Sequence, residues 1–129
     1  MAAYVLDASA LIAFLVREQG CEIVDRLIDD CWISTVNLSE VVAFLGRGGG
    51  SAATIREEVK ALALNVVDFD EALGVDAGLM ARQTKPIGLS LADRACLALA
   101  KRQAVAVITA DRIWANVAEA VGVEIVLIR

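Results

Sequence analysis

Tyr4-Val5-Leu6-Asp7-Ala8-Ser9-Ala10-Leu11-Ile12-Ala13-Phe14-Leu15 begins as a short apolar run, meets one acid, and continues as a longer apolar run. Tyr4-Val5-Leu6 is apolar at successive positions rather than alternate ones, as expected of a strand covered on both faces in a parallel sheet. The run after the acid reads as a helix through Ala10–Leu15. Strand, acid and helix therefore follow one another within a few residues.

The same alternation recurs outward from that stretch. Residues 21 to 30 carry Ile23, Val24, Leu27 and Ile28 as the stripe of an amphipathic helix. Trp32-Ile33-Ser34-Thr35-Val36 reads as a second strand, and Asn37 is assigned as the cap of a helix through Val41, Val42 and Leu45. Gly46-Arg47-Gly48-Gly49-Gly50 is a turn that stops this helix rather than a phosphate loop. Ser51 caps a helix to Ala63, and Leu64–Val67 is a third strand. Asp70 opens a helix that ends before Pro86, the only proline. Ser90 starts a strongly apolar helix to Arg102, and Val105–Ile108 is a fourth strand. A short helix from Trp114 to Val121 and a strand from Glu124 to Ile128 complete the chain. Strands alternating with helices predict a three-layer α/β/α fold on a mostly parallel central sheet. The 129 residues match the size of one domain, spanning 1–129 without repeats or linkers.

Composition narrows the chemistry. There is no histidine, which removes Ser-His-Asp, Cys-His and histidine-ligated zinc chemistry. The G-x-G-x-x-G and P-loop patterns are also missing. Catalysis, if present, must rest on carboxylates, hydroxyls, lysine or arginine. Cys21, Cys31 and Cys96 are odd in number and form no C-x-x-C pair, so buried free thiols are expected. The apolar stretch from Ala8 to Val16 is too short to span a membrane, and no basic residue precedes it as a signal peptide would require. A cytoplasmic protein is expected. The 58% hydrophobic content exceeds the usual 45–50% or so, which points to apolar surface covered by a partner as well as a full core.

Four acids fall where ligands of parallel sheets bind, beyond the carboxyl ends of the strands. Asp7 follows the first strand, and Asp111 follows Val107-Ile108-Thr109. Glu40 and Asp93 are placed in the first turns of the helices capped by Asn37 and Ser90. Taken singly, each has a structural reading. Asn37-Leu38-Ser39-Glu40 and Ser90-Leu91-Ala92-Asp93 both resemble capping boxes, and Asp111-Arg112 resembles a turn. Taken together, four clustered carboxylates repel one another unless a cation neutralises them. An all-oxygen ligand set selects hard cations, Mg²⁺ or Mn²⁺. The chain holds 17 acids against 12 bases; with those four set aside the remainder is nearly balanced, so net charge does not argue against a nucleic-acid substrate.

Four motifs carry a family likeness. Val5-Leu6-Asp7-Ala8-Ser9-Ala10, Asn37-Leu38-Ser39-Glu40, Leu89-Ser90-Leu91-Ala92-Asp93 with Cys96-Leu97-Ala98-Leu99-Ala100, and Thr109-Ala110-Asp111-Arg112-Ile113-Trp114 resemble, in order and across the whole chain, the PIN-domain nucleases. Among these the VapC-type toxins of bacterial toxin–antitoxin pairs are most similar. The resemblance implies a Mg²⁺- or Mn²⁺-dependent endoribonuclease that leaves 5′-phosphate and 3′-hydroxyl ends, acts as a homodimer and is silenced by a cognate antitoxin. It implies Asp7 and Asp93 as principal metal ligands, with Glu40 and Asp111 as supporting ligands or orienters of water. Ser9 and Thr109 correspond to hydroxyl residues that brace the site. Asn116 stands where many relatives carry a further acid, which implies a weaker second metal site.

Arg94 and Arg112 flank the acidic motifs and are the candidates for contact with RNA; other arginines read as solvated surface. Trp114 either stacks a base or fills the core, its helical setting favouring the core. A phosphorelay receiver would need adjacent acids after the first strand and a lysine after the fifth, and neither is present. The remaining alternative is a catalytically silent PIN-like module that binds RNA or protein.

Overall fold

In the computed structural model, which describes residues 3–129, the strand–helix alternation becomes five parallel strands. They are β1 (Tyr4–Leu6), β2 (Cys31–Ser34), β3 (Asn65–Val67), β4 (Ala106–Thr109) and β5 (Ile125–Leu127). Their order across the sheet is β3-β2-β1-β4-β5, and every neighbouring pair is parallel. The chain steps outward from β1 to β3, then returns to β4 on the other side. The strand order therefore reverses between β1 and β4, where Leu6 pairs with Ile108. In open parallel sheets the crevice beyond the carboxyl ends at such a reversal is the usual binding place.

Successive side chains of the central strands β1, β2 and β4 enter opposite cores. Val5 and Val107 pack with Leu73 and Ala77 of α5 (Glu71–Leu79), Leu97 and Ala100 of α7 (Leu91–Gln103), and Trp114. Leu6, Ile33 and Ile108 face the other side, with Leu11 of α1 (Ala8–Leu15), Val24 of α2 (Cys21–Leu27) and Val41 of α3 (Thr35–Arg47). Both faces of the sheet are thus covered, which is the expected three-layer α/β/α arrangement. Helix α4 (Ala52–Ala61) follows α3, and the short α6 (Ala81–Thr84) and α8 (Ala118–Val121) follow α5 and β4. Gly20 makes the α1–α2 turn at φ 95°, and a Cβ there would collide with the backbone carbonyl of Ile128, so glycine is required by close approach as well as by the dihedral.

Several local expectations are corrected. Strand β2 ends at Ser34, whose hydroxyl accepts from the amide of Val36 and caps α3, so Thr35 and Val36 are helical and Asn37 is not the cap. The short hydroxyl side chain wins because it reaches back to its own following turn. Glu40 consequently lies in the second turn of α3, not the first, and Asn37–Glu40 forms no capping box. The helix from Asp70 breaks near Met80 into α5, α6 and a 3₁₀ turn Lys85–Ile87 around Pro86. The segment expected as one helix from Trp114 is a 3₁₀ turn Arg112–Asn116 followed by α8. Cys31 and Cys96 are buried and free as expected, whereas Cys21 is only half-buried. No helix among the described residues is long and apolar enough to cross a membrane.

Candidate active site

Asp7 leaves the end of β1 and caps α1, and it is only 4% exposed. The helix amide of Ala10 donates to its Oδ1 at 2.9 Å. The hydroxyl of Thr109, from the end of β4, donates to Oδ2 at 2.8 Å. Ser9 Oγ lies 2.7 Å from Oδ1 and 2.9 Å from Oδ2, donating to the carboxylate while accepting from the amide of Ala110 at 3.0 Å. Ser9, in the first turn of α1, and Thr109, at the end of β4, thus both hydrogen-bond one carboxylate. Burial pushes the Asp7 carboxyl up to about 6; the bonds from Ala10, Ser9 and Thr109 oppose that shift, and the charge of Asp93 adds to it. A carboxylate kept in an apolar surround beside a second carboxylate is costly unless something positive meets it.

Asp93 is set by the expected capping box. The amide of Ser90 donates to Asp93 Oδ2 at 2.9 Å, while the amide of Asp93 donates to Ser90 Oγ at 3.2 Å. This pins the acid in the first turn of α7, at the positive end of that helix. Glu40 comes from α3, which lies against α7. Its Oε1 accepts a 3.0 Å bond from Asn37 Nδ2. Cys96, one turn beyond Asp93, is fully buried, and its thiol lies 3.7 Å from the Leu6 carbonyl. Burial drives that thiol well above its ordinary range, and the charges of Asp7, Asp93 and Glu40 drive it further.

Asp111 stands apart from those three. It is exposed and caps the 3₁₀ turn, its Oδ1 accepting from the Ile113 amide at 3.1 Å. Its link to Asp7 runs through Thr109, whose Oγ1 accepts from the Asp111 amide at 3.0 Å. Asn116 is exposed at the end of the same turn. Arg94 is half-buried and folded onto the Leu89 carbonyl at 3.2 Å, and Arg112 Nε donates to the Arg129 carbonyl at 3.1 Å. Trp114 is fully buried, so it fills the core and offers no face to a base.

The donor set suits a hard divalent cation: every candidate ligand atom is a carboxylate or hydroxyl oxygen. Among the described residues the ion pairs are Arg102–Asp70 and Arg129–Glu18, so none of the four acids is neutralised by a basic side chain. Among those residues no three acid or cysteine side chains stand close enough together to grip one ion as they are arranged. Glu40, Asp93 and Asp111 each engage one oxygen within the protein and keep side chains that are not fully buried. Asn37 and Cys96 were not identified by sequence reasoning as parts of the site. Only the spacing hinted at them: Asn37 is three residues before Glu40 and Cys96 three after Asp93, each on a shared helix face.

Solved structures share the fold. DNA-bound VapBC from Salmonella typhimurium superposes with a TM-score of 0.74 at 19% identity, covering 100% of both chains. A toxin–antitoxin complex from Klebsiella pneumoniae gives 0.77 at 16% identity, covering 98% of each chain. A sarcin–ricin-loop-cleaving VapC toxin from Mycobacterium tuberculosis gives 0.69 at 16%, covering 88% of this chain and 94% of that one. No curated protein matches the sequence. Residues 4–120 match the PIN domain family, and with that match spanning most of its length the chain belongs to the PIN domain family.

Proposed function

We propose that the chain is a divalent-metal-dependent endoribonuclease, the toxin of a toxin–antitoxin pair of the VapBC kind, acting in the cytoplasm. The observation that supports this reading is that Asp7 after β1, Glu40 on the neighbouring α3 and Asp93 at the start of α7 are carried by packed elements beside the sheet's reversal point, none of them paired with a basic side chain among the described residues. Asp7 and Asp93 are the residues that would hold Mg²⁺ or Mn²⁺, with Glu40 and Asp111 in support. Such an ion lowers the pKa of water and stabilises charge on phosphate oxygens, which supplies hydrolytic chemistry to a chain without histidine.

The chain's own residues do the rest. Ser9, Thr109 and the Ala10 amide orient the Asp7 carboxylate and favour its charged form. Capping by Ser90 fixes where Asp93 sits and engages only its Oδ2. Glu40 Oε2 and Asp111 Oδ2 are the oxygens that would orient or deprotonate an attacking water. Arg94 and Arg112 flank the acids and are assigned to the RNA backbone.

The partners follow from surface chemistry and from the relatives. Structures similar to this chain include DNA-bound VapBC and a toxin–antitoxin complex, and one similar toxin cleaves the sarcin–ricin loop. Val75, Leu79 and Leu91 are 57%, 71% and 55% exposed, an apolar excess on α5 and the start of α7 that suits a homodimer contact. A cleft of about 580 Å³ lined by Val16, Phe44, Leu45 and Ile55 suits an amphipathic antitoxin segment. A catalytically silent PIN-like module is the second reading, favoured by the spread of the acids as they stand. Incubating the purified chain with RNA in Mn²⁺ and in excess EDTA separates the two. Cleavage only with the metal supports the nuclease, and equal cleavage in both contradicts metal dependence.

A further inference from the structure

With the helix cap assigned to Ser34, the Asn37 side chain is available for another task. It is 1% exposed, and its Nδ2 donates in two directions. One bond goes to Glu40 Oε1 at 3.0 Å, the other to the Ala92 carbonyl at 3.1 Å. Ala92 immediately precedes Asp93. A single amide therefore joins the carboxylate presented by α3 to the backbone that carries the acid of α7. Turning the amide over would set its oxygen against two acceptors, so these contacts permit only one orientation. Among the described residues its Oδ1 is buried without a partner. Buried polar atoms are nearly always satisfied; here the amide holds its pose although its oxygen is not, so the two donated bonds set the orientation.

We propose that Asn37 is a positioning residue for the acid cluster: it fixes the Glu40 carboxylate relative to Asp93 and so sets the spacing at which α3 and α7 present their acids. The inference rests on reading those acids as a metal site. It assigns Asn37 an effect transmitted through Glu40, as expected of an outer residue that orients a ligand.

The test is a double-mutant cycle read by Mn²⁺ binding to the RNA-free full chain, using titration calorimetry or the Mn²⁺ electron spin resonance signal. The four proteins are wild type, Asn37→Ala, Glu40→Gln and the double variant. Asn37→Ala is expected to weaken Mn²⁺ binding about tenfold. In the Glu40→Gln background the same change is expected to cost less than about twofold, because the carboxylate it positions is gone. Losses that multiply independently would overturn the inference and leave Asn37 a merely structural residue. Should Asn37→Ala fail to fold, Asn37→Leu, which keeps the branched shape and has no donors, replaces it with the same two outcomes. A wild-type chain that binds no Mn²⁺ overturns the metal reading and the inference together. Mn²⁺ binding with independent losses overturns the role of Asn37 alone.

Discussion

Replacing Asp7 with asparagine is expected to stabilise the metal-free protein while removing a proposed metal ligand. The carboxyl is buried and pushed from 3.8 to about 6, so its charge opposes folding at neutral pH. Roughly two pH units at about 1.36 kcal/mol each give a penalty of about 3 kcal/mol. The sign follows from which state ionises first. Below 3.8 the group is neutral in both states and adds no penalty. As pH rises from there to about 6 the unfolded chain loses its proton first, and stability falls; above about 6 the whole penalty is present. The replacement side chain keeps an oxygen for the Ala10 amide but turns an N–H₂ toward Thr109, whose hydroxyl must rotate to accept. Allowing about 1–2 kcal/mol for that disruption, Asp7→Asn should gain about 1–2 kcal/mol. For a chain of this length that is about 4–7 °C in Tm. Thermal denaturation followed by circular dichroism in EDTA at about pH 7.5, and again at about pH 4.5, measures it. The gain should be present at the higher pH and shrink markedly at the lower. A variant that melts below wild type at the higher pH, or gains equally at both, would refute the reasoning.

Two further outcomes are expected. Ser90→Ala removes one half of the capping box that holds Asp93 and should cost about 1 kcal/mol, read as a lower Tm, with weaker Mn²⁺ binding; an unchanged Mn²⁺ affinity would mean the cap does not position Asp93. Leu79→Glu puts a charge on the most exposed apolar side chain of α5 and should shift a sedimenting dimer towards monomer; an unaltered dimer would place the interface elsewhere.

The fold was legible because its signal is strong and local. Continuous apolar strands such as Tyr4-Val5-Leu6 and Val107-Ile108 cannot be satisfied by a half-exposed sheet, and helices fall between them. Segment ends were less legible. Ser34-Thr35-Val36 has the β-branched character of a strand, yet the Ser34 hydroxyl captures the Val36 amide and starts α3 early. That shift turned Asn37 from an expected cap into the donor to Glu40, a role that depends on Ala92, fifty-five residues away. The Ser90–Asp93 box was legible because both its halves lie within one turn. Positions of acids along the sequence located one edge of the sheet, but not how deep each one lies. Asp7 is buried and Asp111 exposed although both follow strands, because only Asp7 is enclosed by the Ser9 and Thr109 hydroxyls.

The most direct test of the central claim is single-turnover cleavage of end-labelled RNA by the purified chain and by Asp93→Asn, each with Mn²⁺ and with excess EDTA. Metal-dependent cleavage by the wild-type chain is expected, leaving 5′-phosphate ends, with loss of at least about a hundredfold in Asp93→Asn while its folded circular dichroism spectrum persists. Cleavage that survives EDTA, or a folded Asp93→Asn protein that cuts as fast as wild type, would contradict the carboxylate–metal site.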